Sequence, residues 1–475
     1  MMMRLRKRSW GCLLVAATCV LTAGQALAFD EAAADRALQF AKEQLERTST
    51  SSGIPPDQYP KNTVDNATWK LVSADNRVDW IQGFYPGLLW FMYEHGRDPI
   101  WRERADARTR PIEVQKTNTE THDLGFKFVP SYWNAYRLTG DDSYKGVLLT
   151  AARSLAERFH RPSGVINCCD WNRKWRVPLV TDTMVNLELL FWAAENGGDP
   201  AWKDMALSHA LVTLRDMVRP DGGTFHVVDY DDAGKVRSKE TFQGYSNPST
   251  WSRGHAWAIY GFTLSYRYTR DPRMLDAAIK TTDYYLDRLP PDLVPFWDMD
   301  APPGQQVKDS SAAAAVASAL LELHTYVKDP AVKERYRTAA LAMLDSLSSP
   351  AYLAMGTQSP AILLHGVAFY RTPIKPKGEA IDESLIYGDY YFVEALLRFK
   401  QSLVPAPVPP GGEDPVPPPA EERPQPPVGP EPRSGEDGQG GCASAAPGPA
   451  LAAAGLLLWL LRARRREGAS RSKWQ

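Results

Sequence analysis

The chain has little cysteine and little histidine. Of 475 residues, five are Cys and eight are His, and the formal net charge at pH 7 is -1. Cys12 and Cys19 fall in an N-terminal leader and Cys442 in a C-terminal tail, so only the adjacent Cys168 and Cys169 remain for the folded part. That count excludes a disulfide framework, and a reduced pair is the expectation. The few histidines show no metal-ligand spacing, so neither a metal nor a cofactor is expected. A net charge near zero gives no electrostatic footprint for nucleic acid. What the chain does have is aromatic: 15 Trp, 20 Tyr and 15 Phe, which suits either a large core or a sugar-binding cleft.

The ends read as sorting segments. Arg4, Lys7 and Arg8 precede the apolar stretch Leu13 to Ala23, and Ala26-Leu27-Ala28 follows as a small-x-small cleavage site. Residues 1–28 therefore read as a secretory signal peptide. From 404 to 441 the chain is rich in Pro, Glu and Gly, a composition that makes an extended linker and no core. Residues 442–475 follow, opening on the Gly441-Cys442 pair and holding the apolar run Leu451 to Leu461, then Arg462, Arg464, Arg465 and Arg466. The stretch from Cys442 to Arg462 is near the ~20 residues that cross a bilayer, and arginines beyond it favour a cytoplasmic C-terminus. This tail resembles the myxobacterial C-terminal sorting signal, which implies processing by a protease near Cys442. The expectation is an exported protein, at the cell surface or in the periplasm, held to the membrane through its tail.

Residues 29–403 are left to fold. Asp98-Pro99, Asp199-Pro200, Asp271-Pro272 and Asp329-Pro330 each open an amphipathic helix, and Asp141-Asp142 does so without proline. Asp caps the free N–H groups and Pro suits the first turn. Helices apolar on all sides, such as Ser310–Leu323 and Trp257–Tyr266, are buried ones. Exposed helices are expected near 31–47, 99–108, 142–158, 200–217, 272–287 and 330–346. Buried ones are expected near 83–95, 124–138, 182–196, 251–268, 309–326 and 383–400. Strict alternation of six and six predicts an all-α fold, six hairpins closed into an (α/α)6 barrel.

The loops entering the buried helices would then share one rim. They read Asp79-Trp80-Ile81-Gln82-Gly83-Phe84, Thr121-His122-Asp123, Thr181-Asp182-Thr183, Trp251-Ser252-Arg253-Gly254, Asp309-Ser310-Ser311 and Asp382-Glu383-Ser384. Two carboxylates at one mouth could serve as general acid and base. An Asp at a helix start is more often a cap, and the helix dipole favours its ionised form; Asp309 and Asp382 are read as caps. Arg253 and Trp257, four apart, share a helix face. A guanidinium grips a carboxylate and an indole stacks on a sugar ring, so the pair suits an acidic sugar.

Together these motifs resemble the unsaturated glucuronyl hydrolases, glycoside hydrolase family 88, from about Asp79 to Phe399. Gly83-Phe84-Tyr85-Pro86-Gly87, Asp182 with Asn186, and Gly388-Asp389-Tyr390 belong to the same match. The resemblance implies an (α/α)6 barrel and release of a 4,5-unsaturated uronic acid from the non-reducing end of lyase-generated oligosaccharides. It implies Asp182 as general acid/base, protonating C4 of the double bond and activating a water that attacks C5. Asp123 would be the second essential carboxylate. Trp80, Trp171, His226, Gln243, Arg253 and Trp257 would surround the sugar, with His226 aligning one residue out. Some family members hold sulfated substrates with a Ser-rich, Lys-containing loop; here Thr372 to Gly378 has the lysines without the serines. Rival readings are an unsaturated rhamnogalacturonyl hydrolase, a polysaccharide lyase on a similar toroid, and a non-catalytic surface carbohydrate-binding protein.

Overall fold

The computed structural model describes residues 29–51, 53–169, 174–373 and 375–404. The leader, the linker, the tail with its spanning segment, and Trp171 lie outside the described residues. No helix among those described is long and apolar enough to cross a membrane.

Helices dominate. In chain order they are α1 (Glu31–Thr50), α2 (Phe84–Gly96), α3 (Pro99–Thr109), α4 (Leu124–Phe128) and α5 (Asn134–Thr139). Next come α6 (Asp142–Ala156), α7 (Thr183–Glu195), α8 (Ala201–Asp216) and α9 (Ser252–Thr269). The last four are α10 (Pro272–Leu286), α11 (Ser310–Tyr326), α12 (Pro330–Leu347) and α13 (Ile386–Leu403). Two kinds alternate along the chain. Helices α1, α3, α6, α8, α10 and α12 bury one face only, whereas α2, α7, α9, α11 and α13 are buried along most of their length. The aspartate marks work as capping chemistry requires: Asp98, Asp141, Asp199, Asp271 and Asp329 accept from the backbone N–H of Ile100, Ser143, Ala201, Arg273 and Ala331 at 2.8–3.1 Å.

The buried helices contact one another in a closed circuit. Helix α2 meets the α4–α5 segment, α4 meets α7, α7 meets α9, α9 meets α11, α11 meets α13, and α13 returns to α2. Small side chains permit the close pairs: Ala312 to Ala315, Ala317 and Ala319 on α11 are all buried. At one end of the circuit Arg267 pairs with Glu188 and Glu322, and Arg398 with Glu322 and Glu394, so ion pairs link α7, α9, α11 and α13.

Two expectations are corrected. The helix foreseen over 124–138 is interrupted by a π-helical turn, Val129–Trp133. Pro130 offers no N–H and its ring crowds the preceding turn; the wider turn accommodates it. The fold also contains strands, which an all-α reading does not foresee. Among the described residues, 58–64 pairs with 68–73, 159–160 with 165–166, 177–180 with 227–230 and then 236–240, and 366–369 with 379–383, all antiparallel. Each is short and lies between helices, so its alternation is too brief to register. The strand Glu379–Glu383 absorbs Asp382, which was read as a helix cap. Asp382 has φ 63°, and its carboxylate bonds His365 Nδ1 at 2.6 Å; α13 begins only at Ile386.

Helices α7 and α9 cross at Gly261, where an added Cβ would sit 2.3 Å from Met184 Cβ and 2.9 Å from its carbonyl carbon. Overpacking of this kind costs about 1–3 kcal/mol. Gly261→Ala should therefore lower the urea midpoint with an unchanged m-value, measured by equilibrium unfolding.

Candidate active site

Four of the six rim loops, those at 79–84, 121–123, 181–183 and 251–254, converge on a cavity of about 230 Å³. Trp80, Asp123, Asp182, His226, Gln243 and Arg253 line it, so six of the eight residues expected to act together do meet. Trp257 does not reach the cavity. It is fully buried, edge-on to Trp80 at 6.5 Å and against Phe126 and Tyr391 at 5.3 and 5.2 Å. Four residues after Arg253 on a buried helix, it faces the core and supports Trp80 from behind.

Asp123 and Asp182 stand at the N-terminal ends of α4 and α7, yet neither carboxylate makes a capping bond. That separates them from the five aspartates above and removes the capping explanation. Asp123 accepts from Thr121 Oγ1 at 2.7 Å and lies 3.3 Å from His122 Nε2. Asn186 joins the two sites: its Nδ2 donates to the Asp182 carbonyl at 3.2 Å and reaches Asp123 Oδ1 at 3.5 Å. Its Oδ1 accepts from Phe126 N–H at 2.8 Å. The two helices approach closely because residue 125 is glycine; a Cβ there would lie 2.4 Å from Asn186 Cα.

Asp182 is the perturbed acid. Burial, and then the negative charge of Asp123, push it from an ordinary 3.8 to about 7, against the opposing pull of Arg253. Such a shift corresponds to roughly 4 kcal/mol of preference for the neutral form, whereas a helix dipole contributes about 0.3–1 kcal/mol. Burial and like charge win.

His226 Nε2 lies 4.0 Å from Asp182 Oδ2. Its Nδ1 faces the N–H groups of Phe242 and Gln243 at 3.2 and 3.1 Å. Two donors on Nδ1 assign the proton to Nε2. Burial, helped by Arg253, pulls the ring down to about 3, so the histidine facing Asp182 is neutral.

Arg253 is almost wholly buried, between the rings of Trp251 and Tyr387 at 4.6 and 5.2 Å. Nη1 bonds Asp309 at 3.0 Å and the Val367 carbonyl, and Nη2 bonds the Ala368 carbonyl at 2.7 Å. A guanidinium has five N–H donors. Three are engaged with the described residues, and Nε, itself buried, has no partner among them. Asp309 caps α11 through Ser311 N–H at 3.2 Å, as expected, and additionally holds Arg253. Gln243 Nε2 donates to the same Ala368 carbonyl at 3.0 Å.

Several lining residues were not foreseen. Lys61 bonds Asp79 at 2.8 Å and Glu379 at 3.3 Å. Lys70 and Lys375 also gather on Glu379. Burial opposes that carboxylate's charge, but the lysines outweigh it and hold it down at about 2. Lys61 sits on a strand whose existence the sequence pattern hides. Trp175, four residues beyond Trp171, is in the wall beside Phe242. Cys168 and Cys169, expected as reduced thiols, are joined by a disulfide in the same wall.

The Glycosyl Hydrolase Family 88 model matches residues 56–358. The chain belongs to glycoside hydrolase family 88. Among its relatives is an unsaturated glucuronyl hydrolase of Formosa agariphila, 42% identical over 333 residues, covering 69% of this chain and 81% of the relative. An unsaturated chondroitin disaccharide hydrolase of Streptococcus pneumoniae is 34% identical over 331 residues, covering 68% and 82%. Similar solved structures include an unsaturated glucuronyl hydrolase specific for heparin, with TM-score 0.73 and 36% identity over 78% of this chain and 98% of that one. Another is a mutant unsaturated glucuronyl hydrolase from Streptococcus agalactiae complexed with dGlcA-GalNAc6S, with TM-score 0.68 and 31% identity over 80% and 94%. This family 88 chain is an enzyme, a glycoside hydrolase.

The raised pKa of Asp182 has a stability signature. The native state holds a proton that the unfolded chain releases near 3.8, so this group's contribution falls as pH rises from about 4 to about 7. Asp182→Asn should unfold like wild type at pH 4. At pH 8 it should be more stable by about 2–4 kcal/mol, as urea unfolding at the two pH values would read.

Proposed function

We propose that this family 88 enzyme releases a 4,5-unsaturated uronic acid from the non-reducing end of lyase-generated oligosaccharides by hydrating the C4=C5 bond. The observation that carries this reading is a half-buried acid with pKa about 7 beside a second carboxylate, neither engaged as a helix cap. A general acid works best near the operating pH. Asp182 gives its proton to C4, and positive charge develops at C5 and the ring oxygen. The resulting carboxylate takes a proton from a water, whose oxygen bonds to C5. The hemiketal at C5 opens, C1 becomes an aldehyde, and the remaining sugar leaves with its hydroxyl. One molecule of water is consumed, and one side chain serves as acid and then as base. Because the step is enol-ether hydration, carboxylate separation carries no stereochemical message here.

Arg253 supplies the cation for the uronate, Trp80 offers its face to the ring, and neutral His226 presents Nε2–H beside Asp182. Lys61, Lys70 and Lys375 are already drawn onto Glu379, so an uncharged second ring fits this mouth better than a sulfated one. Six helical hairpins in an (α/α)6 barrel account for the circuit of buried helices, with residues 29–403 as the catalytic domain. Export by the leader and tethering by the tail belong to the same proposal.

The test is ultraviolet absorbance of the C4=C5 bond, followed with unsaturated disaccharides from chondroitin, hyaluronan, heparin and pectin lyases. Absorbance should be lost fastest on unsulfated members, and Asp182→Asn should lose about 10³-fold in rate. No loss on any of them, with the protein folded, would sink the proposal. The rate should fall as pH rises through about 7, where Asp182 gives up its proton. Asp123→Asn removes the like charge, so that alkaline limb should move to lower pH.

A further inference from the structure

Cys168 and Cys169 are joined side by side in the wall of the cavity that holds Asp123 and Asp182. Both are buried, in an apolar cluster with Trp175, Val180, Val227 and Phe242. A disulfide stabilises a fold chiefly by closing a loop in the unfolded chain, and the effect grows with loop length. This one links neighbours in the sequence, so it closes no loop of consequence. Global stability does not account for it.

Its place in the backbone does. The Cys168 N–H donates to the Pro178 carbonyl at 3.0 Å, and the Cys168 carbonyl accepts from His122 N–H at 3.0 Å. Cys169 pairs with Thr121 in an antiparallel bridge. The bonded pair thus lies between two segments. One is the strand 177–180, which runs on to Asp182. The other is Thr121-His122, which runs on to Asp123. Side chains carry the link further. Thr121 Oγ1 donates to Asp123 Oδ2 at 2.7 Å, and His122 Nε2 lies 3.3 Å from Asp123 Oδ1. His122 Nδ1 meets the hydroxyl of Thr183, the residue after Asp182, at 2.8 Å.

The disulfide closes a ring through the peptide that joins its two cysteines, and the ring limits how that peptide can turn. Two free thiols lose the ring. Unbonded sulfurs also need more room than a bonded pair, and in a packed, buried wall that room comes only from displacing neighbours.

We propose that Cys168 and Cys169, as a disulfide, are positioning residues for the reaction: they set the strip of backbone between the Asp123 and Asp182 segments, so that turnover is full only while the pair is oxidised. This rests on the reading of the two carboxylates as the working groups. Reduction by a dithiol breaks the S–S bond and forms two S–H groups. The dithiol supplies both electrons and both protons and leaves as a cyclic disulfide.

In the experiment the full chain, folded under oxidising conditions, is treated with a dithiol, freed of it, and later reoxidised. Alkylation and peptide mass read the state of the pair at each stage. Turnover of an unsaturated disaccharide is followed by ultraviolet absorbance, and melting temperature is measured alongside. Reduction should lower kcat on the order of 10-fold, with KM and melting temperature little changed, and reoxidation should restore it. The double variant Cys168→Ser, Cys169→Ser should start at the reduced level and ignore the dithiol, which separates this pair from the other cysteines of the chain. Free thiols at 168 and 169 in the oxidised preparation would overturn the proposal. So would full turnover by the reduced enzyme or by the double variant, or a loss of kcat that merely tracks a fall in melting temperature. If the double variant does not fold, the reduced wild type decides; if the pair resists the dithiol, the double variant decides. An oxidised wild type inactive on every unsaturated disaccharide would overturn this inference together with the reading beneath it, whereas an active wild type indifferent to reduction overturns this inference alone.

Discussion

Gly125 lies against the backbone of Asn186, and the chemistry of the cavity depends on that contact. With a hydrogen in place of a side chain at 125, α4 and α7 come close enough for the Asn186 amide to reach Phe126 N–H, the Asp182 carbonyl and Asp123 together. The spacing of the two carboxylates is thus set between backbones, which are stiff, and not between long side chains. Across this contact the charge of Asp123 raises the pKa of Asp182.

Charged and neutral groups share the cavity with Asp182. Glu379 is kept ionised by its lysines, His226 is kept neutral by burial, and Arg253 is paired with Asp309. Against that background the Asp182 carboxyl, at about 7, exchanges its proton near neutral pH. The polar groups around it are held by backbone carbonyls and N–H groups, so little has to reorganise as charge develops.

Much of this was legible in the sequence, and the reasons for the rest are physical. Helices announce themselves by long periodic stretches and by Asp-Pro caps, so the exposed helices fell within a few residues of their expected ends. The strands did not, because none exceeds seven residues and the longest, 58–64, loses its alternation at an irregularity between Pro60 and Asn62; Lys61 and Glu379 were lost with them. Asp123 and Asp182 look like Asp309 on paper, all three preceding a helix. Only the backbone torsions and the missing capping bonds separate them. Trp257 was misplaced for a related reason. Its spacing from Arg253 fixes a common helix face, but both sit on a helix buried all round, where a common face need not open on the cavity. Asp382 failed as a cap because its backbone is left-handed, which no local composition cue reveals.

The Ala368 carbonyl accepts from both Arg253 and Gln243, and it belongs to the same hairpin that carries Glu379 and borders Lys375. One element therefore anchors the groups that would hold the uronate and also shapes the wall that meets the neighbouring sugar. An engineer who grafted a different hairpin here to change the accepted polymer would also disturb the grip on the unsaturated ring. Substrate range in this enzyme is not a detachable module; it would have to evolve by exchange of side chains on an otherwise unaltered hairpin backbone.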